Sequence, residues 1–359
     1  DRERPQSDAG CLPASRTHRE DGNSGASAVM RRSAFVASLA AFGLTARSVA
    51  AAQDEFDPAT SASTQSLRVL LGAGDATPNP AGGFTFGGRA YRGTFSRTAD
   101  GAVVNTLSLE EYVYSVVPRE MPPSWPAAAL QAQAICARTY VLQRSNPRRA
   151  YDVVPSEIDQ VYDGISSESP AGRAAVDATT GQVVRFADGF AQIMYSSCCG
   201  GRTEAASDAW GGSPLPYLEG VACTHCTASP QYRWQRTIGR AAVAGAFAQE
   251  LSALGSLQGV RVATPDDSGR AKTLELITDR GSAFVAGNAF RMRLGTRVIP
   301  SLLITDTGAA SPAAAAISIE GGGLGHGVGL CQWGARGYAQ SGGTARDILS
   351  LYFPGTSVA

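Results

Sequence analysis

Residues 126–142, PAAALQAQAICARTYVL, constrain the fold of this chain more than any other stretch. Leu130, Ala134, Ala137 and Val141 recur at helical spacing. They make a narrow face of mostly small side chains, so whatever packs on it must come close. The helix is expected to start near Pro126, since proline is tolerated in a first helical turn, with Ser124 as its cap. Gln131 and Arg138, seven residues apart, lie on one side of it. Before it, short strand-like runs end in EYVYSVVP, and Met121-Pro122-Pro123 turns the chain. A single carboxylate, Glu120, therefore stands at the expected hinge between strand and helix, against a methionine, two prolines and Trp125.

Residues 1–29 are polar, mix charges of both signs and read as an upstream segment translated from too early a start. Residues 30–52 have two arginines after Met30, a short apolar stretch from Ala34 to Leu44 and small residues through Ala52. That is the pattern of a secretory signal peptide, and it is too short for a stable bilayer anchor. The expected location is outside the cytoplasmic membrane, in the cell envelope or periplasm. Arg31-Arg32 with Phe35 close behind leaves both twin-arginine and general secretory export open, and an uncleaved signal anchor is the alternative to a cleaved peptide.

Residues 53–66 read as a polar tether and 67–356 as the functional domain, with 241–306 a candidate inserted subdomain. About 300 residues suffice for one large domain or two ordinary ones. The formal net charge is zero and no basic stripe stands out, so nucleic acid is not an expected partner. Nearly all the positive charge is arginine, Lys272 being the only lysine. No later segment is apolar for long enough to span a membrane.

Strand-like runs begin at Leu67, and Asp188-Gly189 reads as a hairpin turn. Residues 241–256 look helical, 257–306 alternate strands with a short helix near NAFRMRLG, and 308–316 is a loop. The C-terminal region is a glycine-rich loop followed by two short helices, the second capped by Thr344 and Asp347. The fold class is α+β, with sheets and helices segregated around a substrate groove.

Four segments, LSLEEYVYSVVPREMPPSWPAAALQAQAICARTYVL, DQVYDG, YSSCCGGRTEAASDAWGGSPLPYLEGV and GHGVGLCQWGARGYAQSGGTARDILSLYFPGT, occur in an order that resembles the SpoIID/LytB family. The resemblance runs from about Leu67 to Thr356. It implies peptidoglycan as substrate and, in the sporulation branch, lytic transglycosylase activity on glycan strands stripped of stem peptides. The other branch implies an enhancer that holds glycan and stimulates a separate cell-wall amidase. The family's catalytic acid falls on Glu120 and its essential helix arginine on Arg138. Gln131 stands where many members have lysine, and Arg119 is a substitute cation there. The match also places His326 and Gln332 in the groove, where they would bind sugar hydroxyls.

One carboxylate suits that chemistry. Most glycosidases need two, but a lytic transglycosylase can use a single acid that later acts as base. Such an acid has to stay protonated near neutral pH, which apolar surroundings achieve. The plainer reading of Glu120 is a solvent-facing turn residue, and that of His326 a structural histidine. Trp210, Trp234 and Tyr217 read equally as stacking platforms or as core.

Cys223 and Cys226 form a C-x-x-C knuckle, and Cys198-Cys199 precede two glycines. Some family members have a histidine three residues before the position of Cys199, which implies a structural zinc site of tetrahedral type. Here that position is Ser196. Cys198, two residues along and on the same strand face, is the expected replacement, giving Cys198, Cys199, Cys223 and Cys226, with His225 as the runner-up ligand. Disulfides are the competing reading for an exported protein. Cys136 and Cys331 read as buried apolar cysteines, and Cys11 falls in the leader.

Overall fold

The computed structural model describes residues 65–359. The expected upstream segment, the signal-like stretch and all of the tether before residue 65 lie outside the described residues. The chain opens with an antiparallel sheet in which β1 (Ser66–Gly72) and β2 (Thr94–Arg97) flank β3 (Val103–Ser108). At Ser108 the strand ends. Its hydroxyl accepts the Glu111 N–H, and the Glu111 carboxylate accepts the Ser108 N–H, a capping box that starts a helix.

The residues expected to form a strand up to Glu120 are therefore mostly helical, as α1 (Leu109–Glu120). Leu109, Tyr112, Val113, Val116 and Val117 are its buried face, at 3.6-residue rather than two-residue spacing. The β-branched valines favour a strand, and the cap with this periodicity overrides them. Pro118 sits inside the last turn, and Met121 leaves the helix in extended conformation.

After the two prolines comes α2 (Ala127–Arg144). Its N-cap is Pro126, without a side-chain cap bond, so Ser124 does not take the expected role. Every residue from Ala129 to Leu142 except Gln131 is buried. A helix covered all round belongs in the centre of a core. The small residues at Ala134 and Ala137 let α1, α3 (Pro170–Asp177) and the two C-terminal helices approach it.

Past the two-residue strand β4 (Tyr195–Ser196), the chain builds a smaller lobe. It has two three-stranded antiparallel sheets. In one, β10 (Ala316–Gly322) lies between β5 (Trp234–Gly239) and β9 (Leu303–Asp306). In the other, β7 (Ala271–Thr278) lies between β6 (Leu257–Pro265) and β8 (Gly281–Ala286). With α4 (Gly287–Leu294) they enclose a second hydrophobic core, including Val243, Phe247, Leu274, Phe290 and Ile319, that extends from Trp234 to Ile319.

The chain then returns to the larger lobe. Strand β11 (Leu330–Cys331) pairs in parallel with β4, with Leu330 opposite Tyr195 and Cys331 opposite Ser196. Helices α5 (Gln332–Gln340) and α6 (Ala345–Tyr352) follow, the latter opened by a Thr344–Asp347 capping box. The whole is α+β, helices with several small sheets. No helix among the described residues is long and apolar enough to cross a membrane.

Candidate active site and metal centre

Glu120 is the last residue of α1. There it meets the negative end of the helix dipole, which disfavours a carboxylate. It is half-buried, over the fully buried Met121. Burial is the main force on it and pushes its carboxyl above the ordinary range; hydrogen bonds from Gln332, Tyr195 and the Val161 N–H, and the charge of Arg119, pull the other way. Gln332 Nε2 donates to Glu120 Oε2 at 3.3 Å and lies 3.4 Å from Gln133 Oε1. The Tyr195 phenol is held in turn by Gln160 Nε2 at 3.1 Å. Burial raises the Tyr195 phenol well above its usual value, so it remains a donor.

Two amide atoms beside this network, Gln133 Nε2 and Gln160 Oε1, are buried without a partner among the described residues. Buried polar groups seldom stay unpaired, so they are open to a further hydrogen-bonding molecule. Glu204 is another carboxyl that burial pushes up, to about 8. It is only 5% exposed and faces Arg270 at 3.5 Å, so it lacks the access that Glu120 has. A shallow hollow on the smaller lobe has Arg240 as its one charged side chain, already bonded to the Ser311 and Pro312 carbonyls.

The other expected site residues divide. Gln332 meets Glu120 directly. Gln131 stays half-buried on α2, and it is Gln133, on another face of the helix, that reaches Gln332. Arg138 does not face a substrate. It is fully buried, with Nε and Nη2 donating to Glu110 at 2.8 and 2.7 Å and Nη1 to the Gln182 carbonyl at 2.8 Å. Its position on the most enclosed helix dictates this, because a guanidinium there needs a carboxylate at hand. Arg119 is exposed and paired with Asp163 at 2.9 Å.

His326 has both ring nitrogens engaged. Nδ1 accepts the Val328 N–H at 3.0 Å, so Nε2 carries the proton toward the Tyr195 carbonyl at 2.9 Å. Burial lowers its pKa to about 4. It is a brace for the Tyr195 strand rather than a sugar ligand. Trp234 is buried with its indole N–H on the Gly323 carbonyl, and Tyr217 is buried against Phe186; both are core. Trp210 is 48% exposed and lies against the His326 ring. Sequence reasoning misses Tyr195, Gln160, Gln133 and Trp333. Only proximity singles them out.

The sulfurs of Cys199, Cys223, Cys226 and Cys331 all lie within 4.8 Å of one another and are buried. Cys331, expected to be an inert core thiol, takes the place expected for Cys198. The strand pairing explains it: Cys331 sits opposite Ser196, so the ligand missing at 196 is supplied by the neighbouring strand. Cys198 remains adjacent, hydrogen-bonded to Cys226 and Cys331. His225 stacks on Tyr338 at 4.6 Å and is outside the group.

The donor set fits a tetrahedral thiolate-bound cation. The Cys199–Cys226 sulfur separation is 3.7 Å, near the ~3.8 Å that Zn–S bonds of about 2.3 Å imply. Cys331 Sγ accepts the Cys199 and Gly334 N–H groups at 3.2 and 3.3 Å, and Tyr352 OH lies 3.0 Å from Cys223 Sγ. Donors aimed at sulfur favour thiolates. Hydrogen bonds from Cys199 and Cys226 hold the Cys223 thiol far below its ordinary range, whereas burial pushes Cys331 up. Among the described residues all six cysteines are free.

A helix-end acid held by amides and a phenol is joined through Gln332 to a four-cysteine centre, within an α+β protein. The chain belongs to the SpoIID/LytB family. Residues 98–186 match the sequence profile described as stage II sporulation protein, and 222–329 match a second described only as a domain of unknown function. An uncharacterized protein of Brachyspira hyodysenteriae is 33% identical over 289 residues, covering 77% of this chain and 74% of that protein. The stage II sporulation protein D of Bacillus subtilis is 29% identical over 281 residues, 73% of this chain and 77% of its own. The amidase enhancer of Bacillus subtilis is 28% identical over 291 residues, which span 68% of this chain but 39% of that protein.

Proposed function

We propose that this protein is a peptidoglycan lytic transglycosylase acting on glycan strands stripped of stem peptides, with Glu120 as its acid and base. The observation that carries the reading is a partly buried carboxyl whose acidity is lowered by burial, among amide and phenol partners. The protonated Glu120 gives its proton to the bridging glycosidic oxygen as the C–O bond breaks. The sugar's own C6 hydroxyl attacks the anomeric carbon, and the Glu120 carboxylate takes up that hydroxyl's proton. A 1,6-anhydro end forms, and the acid is restored without a second carboxylate or water. Tyr195 and Gln332 orient the carboxyl, and Gln332 is fixed by Gln133.

Zinc at Cys199, Cys223, Cys226 and Cys331 would be structural, since four thiolates close its coordination sphere. It would hold Cys331, and with it Gln332, in place. The signal-like segment at 30–52 supports export to the cell envelope, where such a substrate lies. Incubating the protein with stripped glycan and looking for 1,6-anhydro products by mass spectrometry tests the activity. The similarity to the amidase enhancer supports a second reading, in which the chain binds glycan and stimulates an amidase without cutting. Stimulation with no anhydro product would establish it.

A further inference from the structure

Arg336, the one cation on α5, the helix that Gln332 opens, has no anionic partner among the described residues. Arg119 is paired with Asp163, Arg138 with Glu110 and Arg144 with Asp159. Arg336 forms no such pair. Its guanidinium instead lies 4.7 Å from the Trp333 ring centre and 5.7 Å from that of Trp125. The two indoles meet edge-on at 5.0 Å, and all three side chains are partly exposed.

Both indoles are tied to the acid. Trp125 follows Glu120 across the Met121–Pro123 turn, and Trp333 follows Gln332, whose amide holds the Glu120 carboxyl. Arg336 is one helical turn beyond Gln332, roughly 6 Å along α5. Stacking on the rings restrains a guanidinium and leaves its N–H edge free for a carboxylate, which it can bind with two parallel hydrogen bonds. The indole faces suit the C–H faces of a pyranose. The ligand class is a sugar that carries a carboxylate.

Resting on the glycan-cleaving reading above, we propose that Trp125, Trp333 and Arg336 form the subsite that reads the bare lactyl carboxylate of a stripped muramic acid residue. While a stem peptide is attached, that carboxyl carbon is a neutral amide and cannot pair with Arg336. After the peptide is removed it is an anion. Arg336 thereby sets the preference for stripped strands.

The test measures binding, on a Glu120→Gln background so that nothing is cut. Two probes are used: stripped glycan strands, and the same strands with their lactyl carboxylates converted to primary amides. Hydrogen bonds between charged groups are worth a factor on the order of ten or more, so the acid form is expected to bind at least about tenfold more tightly. Arg336→Gln should bring that ratio close to one while leaving affinity for the amide form within about twofold. Trp333→Ala should weaken both forms, and the acid form by more, because Arg336 loses the ring that restrains it.

Equal binding of both forms by the Arg336 protein overturns the proposal. So does an unchanged ratio in a folded Arg336→Gln variant, or no binding of either probe. Because the readout is binding, a wild-type chain that fails to cut refutes the cleavage reading without altering this ratio.

Discussion

As the acid of the proposed reaction, Glu120 has to combine a raised pKa with access to a ligand, and its partly buried place at a helix C-terminus suits both. Glu120→Gln keeps the shape and one acceptor oxygen for its neighbours but has no acid proton to give. Release of anhydro products should fall by at least about 100-fold, with glycan binding retained. The pH sign follows from the direction of the shift. A carboxyl raised by the fold is protonated at low pH, so the acid-dependent step is lost as pH rises through its folded pKa. The stability it contributes is lost over the same rise, and Glu120→Gln should remove that loss in melting experiments. His326 works in reverse. Its folded value of about 4 lies below the ordinary 6.5, so its contribution is whole above 6.5 and is lost as pH falls toward 4. His326→Gln should flatten that acid-side loss in a melting-temperature profile.

Between elements, Arg138 joins α2 to Glu110 on α1, and Glu110 also accepts the Gly181 N–H at 3.1 Å. With the Gln182 carbonyl on Arg138, the pair locks two helices to the segment entering the Val184–Phe186 strand. Removing one partner of a buried pair strands the other's charge, at a cost of about 3–5 kcal/mol. Arg138→Met should therefore lose about that much in denaturant titration, and adding Glu110→Leu should recover most of it. Activity measured per folded molecule should then change little. A large loss of turnover with unchanged stability would return Arg138 to a direct role in catalysis.

Across the whole molecule, the cysteine centre gathers three distant stretches: Cys199, the Cys223–Cys226 knuckle and Cys331 at the start of α5. The smaller lobe braces it, since Arg270 donates to the Cys199 and Arg202 carbonyls at 2.7 and 3.1 Å. Gly327 must be glycine there, because its φ is +83° and a Cβ would lie 2.2 Å from Arg270 Nη2. Structural zinc in small thiolate sites is worth about 10–16 kcal/mol of apparent binding energy, so stripping it should lower the melting temperature sharply. Elemental analysis should find about one zinc per chain. Cys331→Ser should lose it and Cys198→Ser should retain it. Zinc-free protein with disulfides among the four cysteines would refute the site.

Local rules make much of this molecule legible from its sequence: the Thr344–Asp347 cap, the helix beginning at Pro126, the C-x-x-C knuckle and a lone carboxylate before two prolines. Each depends on residues a few positions apart, where backbone geometry alone sets who meets whom. The SLEE capping box is as local, but the three valines that follow mask it by favouring a strand. What no local rule reaches is long-range. Gln332 meets Glu120 across 212 positions, and Cys331 meets Ser196 across a parallel strand pair. Arg138 is a buried strut rather than a ligand contact because its helix is enclosed on every side. Burial and partnership belong to the packed molecule, since a side chain's pKa and reach depend on which distant segments fold over it.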